Sequence, residues 1–243
     1  MSHKQQRDFV NILSETLPEF FNGGRVLEIG SLNINGTIRD FFNSNEYIGL
    51  DIGPGNGVDV VCEGQKYDAP DNSFDHVISC EAMEHNPYWV ETFKNMVRLC
   101  KSGGLVTMTC ATTGRREHGT SRTQSKDSPL TTDAGWNYYL NLTANDFKKK
   151  IEIDKLFSYY FFATDWRSYD LYFVGIKRPN NQEPLTESIH GHFETARTAI
   201  IDHLNEGNNL KIYKYRSFVA STLGDWWFIK MRKIAAILDY VHD

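Results

Sequence analysis

The feature that most constrains the fold is the alternation of short apolar segments with turns and helix-like stretches over the first half of the chain. Five of these segments have the length of β-strands. They read RVLEIG, YIGLDI, GVDVVCE, SFDHVISC and LVTMTCA. Strands that alternate with helices predict a parallel sheet that is covered by helices on both faces.

Two more strand-like segments follow at the end of this region. LFSYYFFA and DLYFVGIK are joined by the short link TDWRSY. A link of that length permits only an antiparallel pair, because parallel strands need a long crossover connection. The sequence therefore predicts a mostly parallel sheet that is closed by a terminal hairpin.

Helical signals lie between and before the strands. Apolar residues recur at helical spacing over residues 9–20 and predict an N-terminal amphipathic helix that ends near Gly23. A helix is also predicted over TIRDFF, and another over PYWVETFKNMVRLCKSGG, with Pro87 in its first turn. A third is predicted over TANDFKKK, where Thr143 and Asp146 form a capping box.

The composition changes after residue 178, where the segment PNNQEP indicates a linker. Beyond it, apolar residues recur at helical spacing at positions 189, 193, 196, 200 and 204, and then at 227, 231, 234 and 238. We divide the chain into an N-terminal helix (1–24), a main domain (25–178) with a substrate loop (112–142), and a helical C-terminal extension (179–243). This extension either packs on the domain core or forms a homodimer surface, and the sequence leaves both open.

Charge and composition exclude several classes of protein. The chain has 31 acidic residues against 26 lysines and arginines, and its net charge of −5 argues against a nucleic-acid partner. No apolar run approaches the roughly 20 residues of a membrane-spanning helix. The four cysteines form no C-x-x-C pair, so they predict buried thiols in a reducing cytoplasm rather than a metal or redox motif.

The loop after the first strand is the first candidate for a ligand site, because open parallel sheets bind ligands beyond the carboxyl ends of their strands. Gly30 in this loop allows a close backbone approach to a ligand. Asp51, at the end of the second strand, is placed to accept hydrogen bonds from both hydroxyls of a ribose, although acids at strand ends are also common without a ligand. The dinucleotide-binding motif G-x-G-x-x-G needs a second glycine two positions after the first, and the residue two positions after Gly30 is not glycine. A nicotinamide-dependent oxidoreductase is therefore the less favoured alternative.

These motifs, in this order, resemble a known family. VLEIGS, YIGLDIGPGNGVDVVCEG, APDNSFDHVISCEAMEH and RLCKSGGLVTMT are similar to class I S-adenosylmethionine-dependent methyltransferases. The closest likeness is to the small-molecule, type 11 branch, whose fourth strand ends in E-x-x-E-H. The resemblance covers residues 25–177. It implies an α/β, Rossmann-like fold with a seven-stranded, mostly parallel sheet, an antiparallel last strand, helices on both faces, and S-adenosylmethionine as cofactor.

The resemblance also implies roles for residues near the strand ends. The amino-acid part of the cofactor would contact Glu28, Gly30 and Ser31, its ribose and adenine would contact Asp51, Ile52 and Glu63, and its sulfonium would lie beside Cys80 and Glu81. His85 would face the methyl acceptor. Ordinary structural roles stay open for some of these residues, such as a solvated Glu63 and a His85 that only holds the backbone.

The segment TTGRREHGTSRTQSK follows the fifth strand and holds four basic residues and one acidic residue. Arg115, Arg116 and Arg122 are candidates to bind an anionic substrate, because the guanidinium group suits carboxylates and phosphates. The same charge pattern is also typical of a solvated surface. Downstream, Trp136, Tyr138 and Tyr139 are candidate flat surfaces for a sugar or ring, or core residues.

The arrangement REHGT…YYLNLT is similar to methyltransferases of surface-polysaccharide and sugar pathways. We therefore expect O-methylation of a small, anionic sugar or nucleotide-sugar-like acceptor. An alcohol needs a base, and histidine suits that role near neutral pH. His118 is the first candidate for this base and His85 the second. No metal site is expected. The alternative is a catalytically silent domain that serves binding or assembly.

Overall fold

One seven-stranded sheet organises the fold. The computed structural model describes residues 3–179, 185–206, 215–216, 218–220 and 222–230. The strands are β1 (Arg25–Ile29), β2 (Glu46–Asp51), β3 (Val60–Val61), β4 (Phe74–Cys80), β5 (Cys100–Ala111), β6 (Phe157–Asp165) and β7 (Asp170–Lys177). The α-helices before residue 206 are α1 (Lys4–Thr16), α2 (Trp89–Leu99), α3 (Pro129–Asp133), α4 (Ala144–Lys150), α5 (Ile153–Leu156) and α6 (Glu187–Asn205).

The strand order is β3-β2-β1-β4-β5-β7-β6. β1 pairs in parallel with β2 and β4, and β4 pairs in parallel with β5. β7 runs antiparallel to both of its neighbours, β5 and β6. The predicted seven-stranded sheet with an antiparallel last strand is therefore confirmed. Because the strand order reverses between β1 and β4, a crevice opens at the carboxyl ends of these two strands.

Two hydrophobic cores lie on opposite faces of the sheet. On one face, Phe93 of α2 contacts Phe147 of α4 and Phe173 of β7, with ring centroids 5.2 Å apart in both pairs. On the other face, Phe9 of α1 stacks on Tyr172 of β7 at 4.5 Å. Neighbouring residues of β7 thus point into different cores, as the alternation of side chains along a strand requires.

Several helix ends differ from the prediction. α1 ends at Thr16 rather than near Gly23, because Pro18 lacks an N–H and begins a separate 3-10 turn. The segment TIRDFF forms only the 3-10 turn Arg39–Phe41. A segment this short makes too few helical hydrogen bonds to offset the free-energy cost of nucleating an α-helix. α2 ends at Leu99, and the residues after it already belong to β5.

The capping box of α4 is confirmed. The hydroxyl oxygen of Thr143 accepts a hydrogen bond from the amide of Asp146 at 3.3 Å. In return, the carboxylate of Asp146 accepts one from the amide of Thr143 at 2.8 Å. This pair fixes the start of the helix that follows the substrate loop.

The described part of the C-terminal region packs partly on the sheet. α6 follows the predicted periodicity and buries four apolar side chains in the core that it shares with α1. They are Phe193, Ala196, Ile200 and Leu204. Further along, Phe228 is buried against Tyr169, whereas Trp226 and Trp227 are exposed. The predicted positions 231, 234 and 238 lie outside the described residues, and the domain boundaries at 24 and 178 stay predictions. Among the helices of the described ranges, none has both the length and the apolar character needed to cross a membrane.

Candidate functional site

A cavity with about 620 Å³ of open space lies beyond the carboxyl ends of β1, β2 and β4. Five of the residues predicted to contact the cofactor or to act as the base line it: Gly30, Asp51, Ile52, Glu81 and His85. The rest of the lining comes from the strand ends and the substrate loop, namely Ile29, Leu32, Ile34, Cys62, Gly64, Ala82, Asn86, Ser128, Pro129, Leu130, Thr131 and Trp136. The substrate loop therefore forms one wall of the cavity.

Gly30 and Asp51 shape the wall that faces β1 and β2. Gly30 has a φ of 86°, and a Cβ at this position would lie 2.6 Å from the Cβ of Ala82, so only glycine fits. The two carboxylate oxygens of Asp51 accept hydrogen bonds from the amides of Leu32 at 2.9 Å and Ile52 at 2.8 Å. Each oxygen keeps a further lone pair for a ligand. Burial raises the pKa of Asp51, against the opposing effect of the two amides.

Four other predicted cofactor residues do not line the cavity: Glu28, Ser31, Glu63 and Cys80. Glu28 is buried and accepts a hydrogen bond from the hydroxyl of Tyr47 at 2.8 Å, and burial raises its pKa to about 7. Ser31 and Cys80 are buried, and Glu63 pairs with side chains beside it. Their assignment to the cofactor stays a prediction.

Two imidazole rings meet beside the cavity. His85 follows β4, and His118 lies in the loop after β5, with ring centroids 4.9 Å apart. Tyr139 contacts both rings, at 5.4 Å and 5.0 Å. Burial lowers the pKa of His85 to about 3. Burial is also the main reason why the pKa of His118 is lowered, and the neighbouring Arg115 has a smaller effect in the same direction.

The hydrogen bond of His118 determines which of its nitrogens is free. Its Nδ1 lies 3.0 Å from the backbone carbonyl of Arg116. A carbonyl oxygen can only accept, so Nδ1 carries the proton of the neutral ring and Nε2 keeps its lone pair. His118 is therefore in the form that can accept a proton or bind a cation.

A glycine allows the substrate loop to approach His85. Gly119 has a φ of 65°, and a Cβ there would lie 2.7 Å from Cε1 of His85 and 2.6 Å from the Cβ of Ser128. The loop returns to the same turn further on, where the amide of Leu140 donates to the carbonyl of Glu84 at 2.9 Å. These contacts hold the loop over the turn that follows β4.

The three predicted substrate arginines have different surroundings. Arg115 forms an ion pair with the buried carboxylate of Asp170 at 3.2 Å, and Arg122 forms one with Glu117 at 2.7 Å. Arg116 lines an open depression next to the first cavity, and Arg115 and His118 also border it. The structure thus places two of the three arginines at this depression.

The aromatic residues of the loop are also separated. Trp136 lines the first cavity and contacts the ring of Tyr88 at 5.7 Å. Tyr139 packs on the two imidazoles, whereas Tyr138 borders neither the cavity nor the depression. The substrate roles of Tyr138 and Tyr139 stay predictions.

Sequence reasoning gave no role to Glu84, which lies beside His85. Its side chain is fully buried, and burial raises its pKa to about 7. Glu84, His85 and His118 each offer one ligand atom, and these atoms all lie within 4.8 Å of one another. The only signal in the sequence was the second glutamate of E-x-x-E-H, because His118 is more than 30 positions away.

Comparison with known proteins links this geometry to a family. Residues 42–108, which extend from just before β2 into β5, match the family model described as "Methyltransferase domain". No curated protein matches the chain.

Solved structures with a similar fold include the CurJ carbon methyltransferase, with 15% identity, a TM-score of 0.48, and coverage of 71% of this chain and 55% of that one. Phosphoethanolamine N-methyltransferase 2 of Haemonchus contortus, in complex with S-adenosyl-L-methionine, has 16% identity, a TM-score of 0.48, and coverage of 70% and 52%. The 1,6-didemethyltoxoflavin-N1-methyltransferase of Burkholderia thailandensis has 12% identity, a TM-score of 0.48, and coverage of 71% and 77%.

The chain spans about half the length of the first two of these proteins. The matched segment covers the middle strands of the sheet, and the sheet has the strand order and the antiparallel last strand described above. Over residues 42–108 the chain is therefore similar to a methyltransferase domain.

Proposed function

We propose that the protein transfers a methyl group from S-adenosylmethionine to a hydroxyl of a small, anionic, sugar-like acceptor. One observation carries this proposal. The cavity that holds Gly30 and Asp51 reaches His85, whose ring contacts His118 at the edge of the arginine-bordered depression. A cofactor pocket, a base and an anion-binding surface are thus neighbours.

The residues present fit the cofactor. The glycine at position 30 leaves room for a ligand against the backbone, and the carboxylate of Asp51 keeps lone pairs for the two ribose hydroxyls. Apolar side chains such as Ile52 and Leu130 offer surfaces for an adenine ring. When bound, S-adenosylmethionine supplies a methyl group on a sulfonium, which is already a reactive donor.

The chain's own contribution is to position the acceptor and to remove a proton from it. Good alignment of reacting groups can contribute about 7–11 kcal/mol of the barrier. A base typically adds 10²–10⁴-fold. Nε2 of His118 is our first candidate for this base, since its lone pair is free and burial keeps the ring neutral. His85 is the second candidate.

The acceptor's negative charge is inferred from the depression. Arg116 and His118 border it, and Arg116 forms no ion pair within the described residues, whereas Lys4 and Arg167 at the same border pair with Asp8 and Asp165. Arg115 itself is engaged with Asp170 and holds the floor of the depression rather than a ligand. We therefore assign the anion contact first to Arg116.

Calorimetry with S-adenosylmethionine, S-adenosylhomocysteine and NAD tests the first half of the proposal. We expect the first two ligands to bind and NAD not to bind. Binding of NAD alone would instead support the oxidoreductase alternative.

Release of S-adenosylhomocysteine in the presence of anionic sugars and nucleotide sugars tests the second half. We expect turnover with at least one hydroxyl acceptor, and a loss of about a hundredfold or more in His118→Ala. If both His118→Ala and His85→Ala keep wild-type turnover, neither histidine is the base. Cofactor binding without turnover on any acceptor would support the silent binding module.

We also propose a cytoplasmic location, because all four cysteines are free thiols and free thiols persist in reducing compartments.

A further inference from the structure

We propose that Glu84, His85 and His118 bind a divalent transition-metal ion beside the cofactor cavity. Each residue contributes one ligand atom, and the three atoms lie within 4.8 Å of one another. Glu84 and His85 are neighbours in the turn after β4, and the loop after β5 brings His118 to them. The fold, rather than sequence spacing, assembles this set.

Buried polar atoms without partners support the proposal independently. Neither carboxylate oxygen of Glu84 and neither ring nitrogen of His85 pairs with another residue within the described part of the chain. The exposed fractions of these two residues are 0% and 2%. Buried polar groups are normally hydrogen-bonded, and a buried charge needs a partner. One cation between the two side chains would bind a carboxylate oxygen of Glu84 and the unprotonated ring nitrogen of His85.

The local charge also favours a cation. Three buried carboxylates lie in mutual electrostatic range, those of Glu81, Glu84 and Asp170. The positive group that interacts with all of them is Arg115, and it forms its ion pair with Asp170. The second oxygen of Glu81 has no partner in the described chain either. Because Arg115 pairs with Asp170, the side chains of Glu81 and Glu84 have no cationic partner of their own within the described residues.

The ligand set indicates the class of metal. Two imidazole nitrogens and one carboxylate oxygen form a three-ligand set that is typical of catalytic zinc sites and related first-row metals. Tetrahedral bonds of about 2.0–2.1 Å put ligand atoms about 3.3 Å apart, so the cluster would contract by up to about 1.5 Å on binding. Three protein ligands leave the fourth position for an oxygen of water or acceptor.

A metal here would change the role of His118 from base to ligand. A bound ion would lower the pKa of a hydroxyl ligand, so that the acceptor could release its proton to water before methylation without a protein base. Tyr139 packs on both imidazoles, and its buried hydroxyl has no partner in the described chain, so it is placed to contact such an oxygen. This role rests on the proposed methyl transfer, whereas metal binding itself does not.

Zinc titration of the full-length, chelator-treated protein tests the proposal. We expect one Zn²⁺ per chain by calorimetry, and the same count by elemental mass spectrometry after dialysis. Glu84→Gln and His118→Ala should each weaken Zn²⁺ binding by at least about a hundredfold, since even the outer partners of metal ligands are worth 10–100-fold. His192→Ala removes an exposed imidazole of α6 and should bind as the wild type does.

The proposal is overturned if the wild type retains no Zn²⁺, or if Glu84→Gln and His118→Ala bind it as tightly as His192→Ala does. Circular dichroism of each variant separates a lost ligand from a lost fold. Should Glu84→Gln fail to fold, His118→Ala in the half-buried loop still decides the question. Because no cofactor or acceptor is added, a failure of methyl transfer leaves this result unaffected.

Discussion

Glu28 gives the protein a stability that depends on pH, and glutamine at this position should remove that dependence. The side chain is 4% exposed. Burial raises its pKa from the ordinary 4.5 to about 7, against a smaller opposing effect of the Tyr47 hydroxyl. At about 1.4 kcal/mol per pH unit, the gap between these values corresponds to about 3 kcal/mol.

The sign follows from which state holds the proton more tightly. The folded chain keeps the proton of Glu28 up to about pH 7, whereas the unfolded chain loses it near pH 4.5. The stabilising contribution is therefore complete below pH 4.5 and is lost as the pH rises toward 7. Glutamine does not titrate, and its carbonyl still accepts from Tyr47. Glu28→Gln should thus gain up to about 3 kcal/mol over the wild type between pH 4.5 and pH 8.

Urea unfolding at a series of pH values measures this gain. The quantity to follow is the difference in unfolding free energy between Glu28→Gln and the wild type, because other buried groups shift both proteins alike. Glu91→Gln, which changes an exposed glutamate of α2, is the matched control and should show no such trend. If this difference in unfolding free energy stays constant from pH 4.5 to pH 8, burial does not raise the pKa of Glu28.

Three further predictions concern the cofactor, a helix start and the assembly. Asp51→Ala should weaken S-adenosylmethionine binding about tenfold to a hundredfold, since a hydrogen bond to a charged acceptor is worth roughly 1.5–3 kcal/mol. Calorimetry measures the affinity, with Asp71→Ala as the control variant. An unchanged affinity of Asp51→Ala would contradict this prediction. Thr143→Ala should lower the unfolding free energy by about 1 kcal/mol through loss of the α4 cap, and an unchanged melting temperature would count against it. Light scattering of the intact chain should show a monomer, because α6 turns its apolar face inward; a dimer mass would assign the exposed Trp226 and Trp227 to an interface.

Local patterns predicted the sheet well. The strand DLYFVGIK and the cap formed by Thr143 and Asp146 coincide with the structure, because each depends on neighbours in the sequence. The predicted positions of helix ends were less accurate where a helix signal and a strand signal overlap in the sequence. The glycines at 103–104 indicated a helix stop, whereas the residues from Cys100 onward already pair in the sheet.

The cofactor side of the site was partly predictable, because the carboxyl ends of parallel strands meet at one edge. This places Gly30, Asp51 and Glu81 in one cavity. Glu28 was harder to place. The alternation of side chains along a strand indicates the face of the sheet to which a residue points, but not how deeply its side chain is buried. Glu28 pairs with Tyr47 instead of facing the cavity.

The acceptor side depends on how one long loop folds back. No local pattern indicates that His118 reaches His85, or that Arg115 turns away to pair with Asp170. These contacts join residues from different strand ends, and each depends on the path of the chain between them. The sequence therefore indicated the segment that lines the cavity, but not the grouping of its side chains.

A crystal structure with S-adenosylhomocysteine would show directly whether this cavity binds the cofactor. We expect the ligand to occupy the cavity beyond β1, β2 and β4, with both ribose hydroxyls within hydrogen-bond distance of Asp51 and the sulfur beside Glu81, facing His85. A ligand bound elsewhere, or one that leaves Asp51 untouched and turns its sulfur away from His85, would contradict this expectation.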